Sequence, residues 1–266
     1  MKNIIDLVNL KNRKALVTGC NGPMGLVVSE TLAELECSLI CVDKPDSNFE
    51  KLQKILSKYK KIKFDLLPSD FENVHSRSKF IKKIKDENSS LDILINNAAM
   101  TGSSDLKGWN TNFGSQSLDN WQKALEINVI AIFHICRDLS ELVSKNKHGT
   151  IINISSIYGS CAPDYSLYEG TNINNPAAYA ASKGALNQLT KWLAATVAPN
   201  IRVNCISPGG IFSNQDTKFV RRYELKTPLK RMANYSDFRG IIAFLSSDMS
   251  EYITGQNILI DGGWSI

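Results

Sequence analysis

Short apolar runs, rich in β-branched residues, alternate along the chain with longer segments in which apolar positions recur every three or four residues. The short runs fall at 15–18, 38–42, 62–64, 91–95, 150–154, 202–206 and 257–260. They are too short for helices and too uniformly apolar for strands with one wet face, so they predict strands covered on both sides. The longer segments, at 24–36, 71–86, 119–145, 178–198 and 236–246, predict the covering helices. This alternation predicts a doubly wound α/β fold with a parallel sheet of about seven strands. No repeat, low-complexity tract or linker interrupts it, so residues 1–266 read as one domain. Ligands of such sheets bind outside the carboxyl ends of the strands, near the point where strand order reverses.

Two segments break the pattern. Residues 100–118 are polar and rich in Gly, Ser and Asn, and residues 160–176 (SCAPDYSLYEGTNINNP) are rich in turn formers. Both follow predicted strand ends, and loops of this length in a compact domain are usually functional.

Composition narrows the classes. Apolar residues make up 43% and charged residues 21% of the chain, the usage of an ordinary soluble globular protein. No apolar run approaches the ~20 residues that cross a bilayer. The N-terminal segment has no long apolar stretch before a small-residue cleavage site, so no secretory signal is expected and the cytoplasm is the expected location. The net charge of +5 comes with lysine clusters at 51–63 and 79–85. These lysines are mixed with acidic residues and lack interleaved aromatics, which reads as solvated helix faces and not as a nucleic-acid surface. None of the six cysteines forms a C-x-x-C pair; Cys41, Cys136 and Cys205 lie in apolar segments, and reduced, mostly buried thiols are expected. The three histidines, His75, His134 and His148, are widely spaced, and no metal site is expected.

The first predicted strand runs into T-G-C-N-G-P-M-G at 18–25, followed by a predicted helix. A strand, glycine-rich turn and helix in this order let backbone N–H groups approach a pyrophosphate. Pro23 stands where a further glycine is usual. It donates no N–H, but it suits the first turn of a helix. Asp43 ends the second strand, eighteen residues after Gly25. An acidic residue at about this distance accepts hydrogen bonds from the adenosine ribose hydroxyls and repels a 2′-phosphate, which favours NAD over NADP. Lys44 beside it leaves NADP open.

In P-A-A-Y-A-A-S-K, Tyr179 and Lys183 are four apart and share a helix face. A free tyrosine has a pKa near ~10, too high for a good base at neutral pH. A neighbouring ammonium and a positively charged nicotinamide would favour the phenolate. A tuned phenol can then exchange the hydroxyl proton of a substrate while hydride moves to or from a coenzyme.

These motifs, with others, resemble the short-chain dehydrogenase/reductase family in its compact, non-extended branch. Beyond the glycine turn and Y-A-A-S-K at 179–183, the matches are Asp65 after the third strand, N-N-A-A at 96–99, Asn128 in E-I-N-V, I-S-S-I-Y-G at 154–159, S-P-G-G-I at 207–211 and I-T-G-Q-N-I-L-I-D-G-G at 253–263. They occur in family order. The resemblance implies a Rossmann-type, NAD(P)-binding domain with Tyr179 as general acid/base and Lys183 holding the nicotinamide ribose. It implies that Ser156 hydrogen-bonds the substrate oxygen and that Asn128 holds a water linking Lys183 to solvent. For the coenzyme it implies contacts from Gly19, Asn21, Met24 and Gly25 in the turn, and from Asp65 and Leu66 to adenine. Asn97 and Ala98 would line the cleft, and Pro208, Gly209, Ile211 and Ser213 would flank the nicotinamide. It also implies a homodimer or homotetramer formed through the helices at 119–145 and 178–198.

Ser156 and Tyr179 are 23 positions apart, more than the compact branch usually needs, and the extra residues are the 160–176 loop. That loop, expected beside the substrate, carries Asp164, Tyr165, Tyr168, Glu169 and Asn172, which suit a hydroxyl-rich partner. Tyr158, Tyr165 and Tyr168 are the substrate candidates from this region. Arg221 and Arg222, in a segment that falls at the family's substrate lid, are candidates to clamp a phosphate or carboxylate. N-N-P-A-A-Y also resembles the sugar-nucleotide branch, which carries a further substrate domain for which 266 residues leave no room. The wording of SLYEGT, NPAAY, PGGIFSNQ, RYELKTPLKRM and DGGW is similar to a subgroup associated with flagellin modification and surface-sugar synthesis. The expected function is an NAD(H)-dependent interconversion of a secondary alcohol and a ketone on a polar, sugar-derived small molecule of surface-glycan biosynthesis. Two alternatives stay open: a redox-neutral epimerase or dehydratase with bound NAD, and a catalytically silent dinucleotide sensor or scaffold.

Overall fold

The computed structural model describes residues 3–102, 104, 106–145 and 149–266. His148, counted above among the histidines, lies outside the described residues. Seven strands form one parallel sheet in the order β3-β2-β1-β4-β5-β6-β7. They are β1 (Lys14–Thr18), β2 (Ser38–Asp43), β3 (Phe64–Pro68), β4 (Ile93–Asn96), β5 (Gly149–Ile154), β6 (Ile201–Pro208) and β7 (Asn257–Ile260). The helices are α1 (Ile4–Val8), α2 (Pro23–Glu34), α3 (Glu50–Leu56), α4 (Val74–Glu87), α5 (Leu118–Leu125), α6 (Ala131–Ser144), α7 (Ala177–Val197), α8 (Thr217–Lys226) and α9 (Arg239–Ser246). None is long and apolar enough to cross a membrane, among the described residues.

The uniformly apolar strand runs have the cause expected of them. Alternate residues enter two separate cores. Leu16, Ile40, Val42, Leu94, Ile151 and Val203 pack under α4, α6 and α7. Their neighbours Ala15, Val17, Leu39, Cys41, Ile93, Ile95 and Ile152 pack under α2, α3 and α9. A strand with helices on both faces needs apolar side chains in both phases of its period-two alternation. The chain builds β1, β2 and β3 outward on one side, then crosses back to place β4 on the other side of β1. The crevice at the ends of β1 and β4 is this reversal point.

Four expectations shift. The third strand, expected at 62–64, is Phe64–Pro68, because its ladder pairs Leu39 with Phe64 and Asp43 with Pro68. Asp65, expected after that strand, therefore lies within it, opposite Ile40. The segment at 119–145 divides into α5 and α6 at a wide π-turn, Glu126–Ile130. Its Asn128 is fully buried; the side-chain Oδ1 accepts from the Met100 N–H at 2.8 Å, and Nδ2 donates to the Met100 carbonyl at 3.0 Å. An extra residue in a helix turn commonly serves to aim one side chain in this way. Helices α1 and α8 were not expected, and α3 falls at the lysine-bearing helix face read near 51–63; α8 lies inside the segment that corresponds to the family's substrate lid, residues 213–231, which is rich in charged residues. Its exposed polar face hides the two residues, Phe219 and Tyr223, that it buries. All six cysteines are free, and only Cys161 is not buried.

Candidate active site

A cleft of about 840 Å³ opens along the carboxyl ends of the strands. That is room for a large ligand. One end is built from backbone. β1 passes into the glycine turn, and α2 begins at Pro23 with Gly22 as its N-cap, so the missing N–H of proline falls where a helix has no intrahelical acceptor to lose. Gly25 packs against the strand exit so closely that a Cβ there would sit 2.1 Å from the Gly19 carbonyl oxygen. Only glycine allows that approach. Gly19, Gly22, Met24 and Gly25 line the cleft. Asn21 does not; its N–H donates to Asp43 Oδ2 at 2.7 Å, and both ends of its side-chain amide are buried without a partner among the described residues.

Asp43 ends β2 and faces this end of the cleft. Its Oδ1 accepts from the Lys44 N–H and the Ser47 hydroxyl, both at 2.8 Å. A carboxylate offers about four acceptor sites, so three are used and one remains for a ligand hydroxyl. Beside Asp43 the cleft is lined by Ser69, Asp70 and Phe71, and Asp65 and Leu66, expected at the adenine, do not line it. Asp65 is exposed on the edge strand, and Leu66 packs into the core beside α3. The D-x-x-x-x-D spacing of Asp65 and Asp70 held the clue: the strand consumes the first acidic residue and releases the second at its end.

The other end of the cleft is built from side chains. The turn after β5, Ile157–Gly159, lies against α7, and a Cβ on Gly159 would meet the Lys183 carbonyl at 2.7 Å. This contact brings Ser156, Tyr179 and Lys183 to one wall. Lys183 is buried, and its Nζ donates to the Ile154 carbonyl at 2.8 Å. The ammonium lies 5.8 Å from the centroid of the Tyr179 ring. Burial pushes the Lys183 pKa down to about 8, against a small opposing pull from Cys205. Burial also raises the Tyr179 phenol above its ordinary value, while the hydrogen-bonded Ser156 side chain works in the other direction. The protein alone thus does not make this phenol acidic. Asn128 sits behind the wall, with Nδ2 also donating to the Ser182 hydroxyl at 2.9 Å. Both Nδ2 donors are used on Met100 and Ser182, and Oδ1 accepts from Met100 and has one further lone pair.

The substrate candidates divide. Tyr158 and Tyr168 line the cleft with hydroxyls 2.7 Å apart. Tyr165 is 59% exposed and lies outside it. Arg221 is exposed on a separate shallow surface with Phe212, Asn214 and Glu224. Arg222 donates to the carbonyls of Leu167 and Glu169 at 3.4 and 2.5 Å. Both arginines point away from the cleft because the buried face of α8 is taken by Phe219 and Tyr223, which leaves the intervening positions outside. Asp164 pairs with Lys226 at 2.7 Å and so clasps the loop to α8. Glu169 and Asn172 are exposed, whereas Asn110, Asn174 and Asn175 line the cleft. Tyr223 was not singled out beforehand; its hydroxyl accepts from the Gly210 N–H at 2.6 Å and fixes the turn after β6. Pro208, Gly209, Ile211 and Ser213 line the cleft from that turn, and Asn97 and Ala98 line it from the end of β4.

The backbone turn, the free acceptor on Asp43 and the Ser–Tyr–Lys wall lie along one cleft and fit a dinucleotide with its nicotinamide end beside Tyr179. Residues 21–265 match the model of the enoyl-(acyl carrier protein) reductase family. The chain belongs to the short-chain dehydrogenase/reductases. It is an NAD(P)-dependent oxidoreductase acting on CH–OH groups. Among its relatives, the post-translational flagellin modification protein A of Campylobacter coli is 27% identical, over 97% of this chain and all of that one. A 2-dehydro-3-deoxy-D-gluconate 5-dehydrogenase of Pseudoalteromonas atlantica is 30% identical, over 98% of this chain and 99% of that one. The crystal structure of a short chain dehydrogenase from Leptospira borgpetersenii with bound NAD+ is 33% identical, with a TM-score of 0.83 over 100% of this chain and 97% of that one.

Proposed function

We propose that this dehydrogenase/reductase uses NAD(H) in the cytoplasm to interconvert a secondary alcohol and a ketone on a polar, sugar-derived substrate of surface-glycan biosynthesis. The observation that carries the reading is the single wall on which Ser156, Tyr179 and Lys183 meet, in a cleft also lined by Tyr158, Tyr168, Asn110, Asn174 and Asn175. A relative named as a flagellin modification protein and another named as a 2-dehydro-3-deoxy-D-gluconate 5-dehydrogenase support the substrate class. Asp43 supports NAD, because its one free acceptor site suits a ribose hydroxyl and its charge opposes a 2′-phosphate.

In reduction, Tyr179 donates its phenol proton to the carbonyl oxygen, and in oxidation it takes the proton back. The Ser156 hydroxyl holds that same oxygen and keeps it on the phenol. Lys183, with its pKa near 8, can restore a proton to the wall at neutral pH and hold a ribose hydroxyl. A bound nicotinamide supplies or accepts the hydride and, when oxidised, a positive charge that favours the phenolate. Asp43, Asn97 and the α2 N-terminus hold and orient the dinucleotide.

The long helices support a homodimer or homotetramer. Phe133 on α6 and Trp192 on α7 meet at 6.4 Å between ring centroids, and Trp192 and Ile130 are about half exposed. Light scattering tests the assembly. Fluorescence titration with NADH and NADPH, followed by a panel of keto-sugars, polyols and acyl thioesters, tests the function. Tighter binding of NADH and turnover of keto-sugars are expected. A strong preference for NADPH overturns the coenzyme assignment, and turnover of acyl thioesters alone overturns the substrate class.

A further inference from the structure

The loop that lengthens the Ser156–Tyr179 spacing is docked, and its docking delivers one hydroxyl. Asp164 Oδ1 caps its short turn, Tyr165–Leu167, and Oδ2 pairs with Lys226. Arg222 holds two of its carbonyls. Leu167 is buried among Ile157, Phe219, Tyr223, Met232 and Trp264. With these contacts in place, the Tyr168 ring packs on Phe219 at 5.3 Å between centroids. Its hydroxyl meets that of Tyr158 at 2.7 Å. Tyr158 is itself held, edge-on to Trp264 at 6.1 Å, and its N–H donates to the Ser156 hydroxyl oxygen at 3.2 Å. The hydroxyl pair is therefore tied by backbone to the serine proposed to hold the reacting oxygen.

Two phenols carry two protons, and one proton serves the bond between them. The Asn175 side chain takes one lone pair of the Tyr168 oxygen, which leaves one donor and the other lone pairs for the cleft that both rings line. Burial raises both phenols, so they stay protonated and neutral at any ordinary pH. A neutral donor–acceptor pair in an apolar setting matches an alcohol, not an anion.

Resting on the alcohol–ketone reading above, we propose that the Tyr158–Tyr168 pair is the specificity-determining element for a hydroxyl on the carbon beside the reacting one. The substrate class is then an α-hydroxy ketone and its reduced vicinal diol. A ketone without that hydroxyl leaves the pair unmatched in a partly desolvated wall, and sites built for a hydroxyl discriminate strongly against analogues that lack it.

The test compares 2-hydroxycyclohexanone with cyclohexanone as oxidants of NADH in the full-length protein. The wild type is expected to favour the hydroxy ketone by about 100-fold in kcat/KM, mostly through KM. Tyr168→Phe keeps the ring contacts and is expected to bring that ratio close to one, with Tyr158→Phe in the same direction. Because the ratio is internal to each preparation, loss of folded protein does not change it. Tyr165→Phe, outside the cleft, is the control and should keep the wild-type ratio. Equal turnover of the two ketones by the wild type, or an unchanged ratio in Tyr168→Phe, overturns the proposal and leaves the oxidoreductase reading standing. If the wild type binds NADH but turns over no ketone or alcohol, both fall together.

Discussion

The two ends of the cleft are made of different material. The dinucleotide end is backbone held at contact distance: a glycine whose Cβ, if it had one, would lie 2.1 Å from a carbonyl oxygen, a proline at the first helical position, and a carboxylate locked by three donors. The substrate end is side chains on two loops and α8, joined by an ion pair, carbonyl contacts and an aromatic cluster. The first has no tolerance and serves a ligand of fixed shape. The second can be re-cut without disturbing the sheet, and this lets one fold serve many substrates. The proposed chemistry sits on the seam, where the β5 turn meets α7.

This division can be broken residue by residue. The largest effect is expected at the seam itself: Tyr179→Phe should lower kcat by about 10³-fold while NADH still binds, since positioned proton transfer contributes on that order. Stopped-flow kinetics with a parallel fluorescence titration separates the two. Loss of dinucleotide binding in this variant would show that the seam and the backbone end are one unit. Next, Gly25→Ala forces the turn away from α2. A fall of about 100-fold in dinucleotide affinity is expected, measured by calorimetry, because the clash at 2.1 Å is with backbone and cannot be relieved by a rotamer.

Third comes Lys183, whose buried ammonium destabilises the fold it serves. Its pKa falls from an ordinary 10.5 to about 8. Between these values the unfolded chain binds the proton and the folded chain does not, so stability rises with pH across that window. Below about 8 both states are charged, and the penalty is present in full. Lys183→Met removes the penalty. The protein without added dinucleotide should then melt several degrees higher than the wild type at pH 7, with a stability difference of about 3 kcal/mol that vanishes towards pH 10.5. Activity should be lost at every pH. Melting curves of both proteins from pH 7 to 10.5 check this, and parallel curves would refute it. The smallest effect belongs to the substrate end: Asp164→Asn removes a half-exposed clasp worth at most about 1 kcal/mol. A few-fold rise in substrate KM with unchanged dinucleotide affinity is expected from initial-rate measurements.

The legible parts of the molecule follow the same line. The glycine turn, Asp43, Asn97, Ser156, Tyr179, Lys183 and Pro208–Gly209 all reach the cleft, because each sits at a strand end or on one helix face where local sequence dictates position. Asp65 lies off the cleft lining for a register reason: pairing with β2 carries the third strand past it, and Asp70 emerges at the cleft. Asn128 was legible as a residue but not as a contact. Its carboxamide bonds Met100, 28 positions away in sequence, and Ser182. Tyr165, Arg221 and Arg222 have the chemistry of substrate ligands but not the position, and only the docking of the loop against α8 separates them from Tyr168.

From the sequence alone came everything that hydrophobic period and strand-end spacing encode: the parallel sheet, the covering helices, the coenzyme turn, and the phenol and amine one helical turn apart. Those features depend on interactions within a few residues, and their patterns survive without coordinates. Only the tertiary structure decided where the third strand stops, which tyrosine of the inserted loop faces the cleft, and that Lys183 is buried deeply enough to lose much of its basicity. Those outcomes arise where distant segments compete for the same space and the same hydrogen bonds, and that competition leaves no periodic trace in the chain.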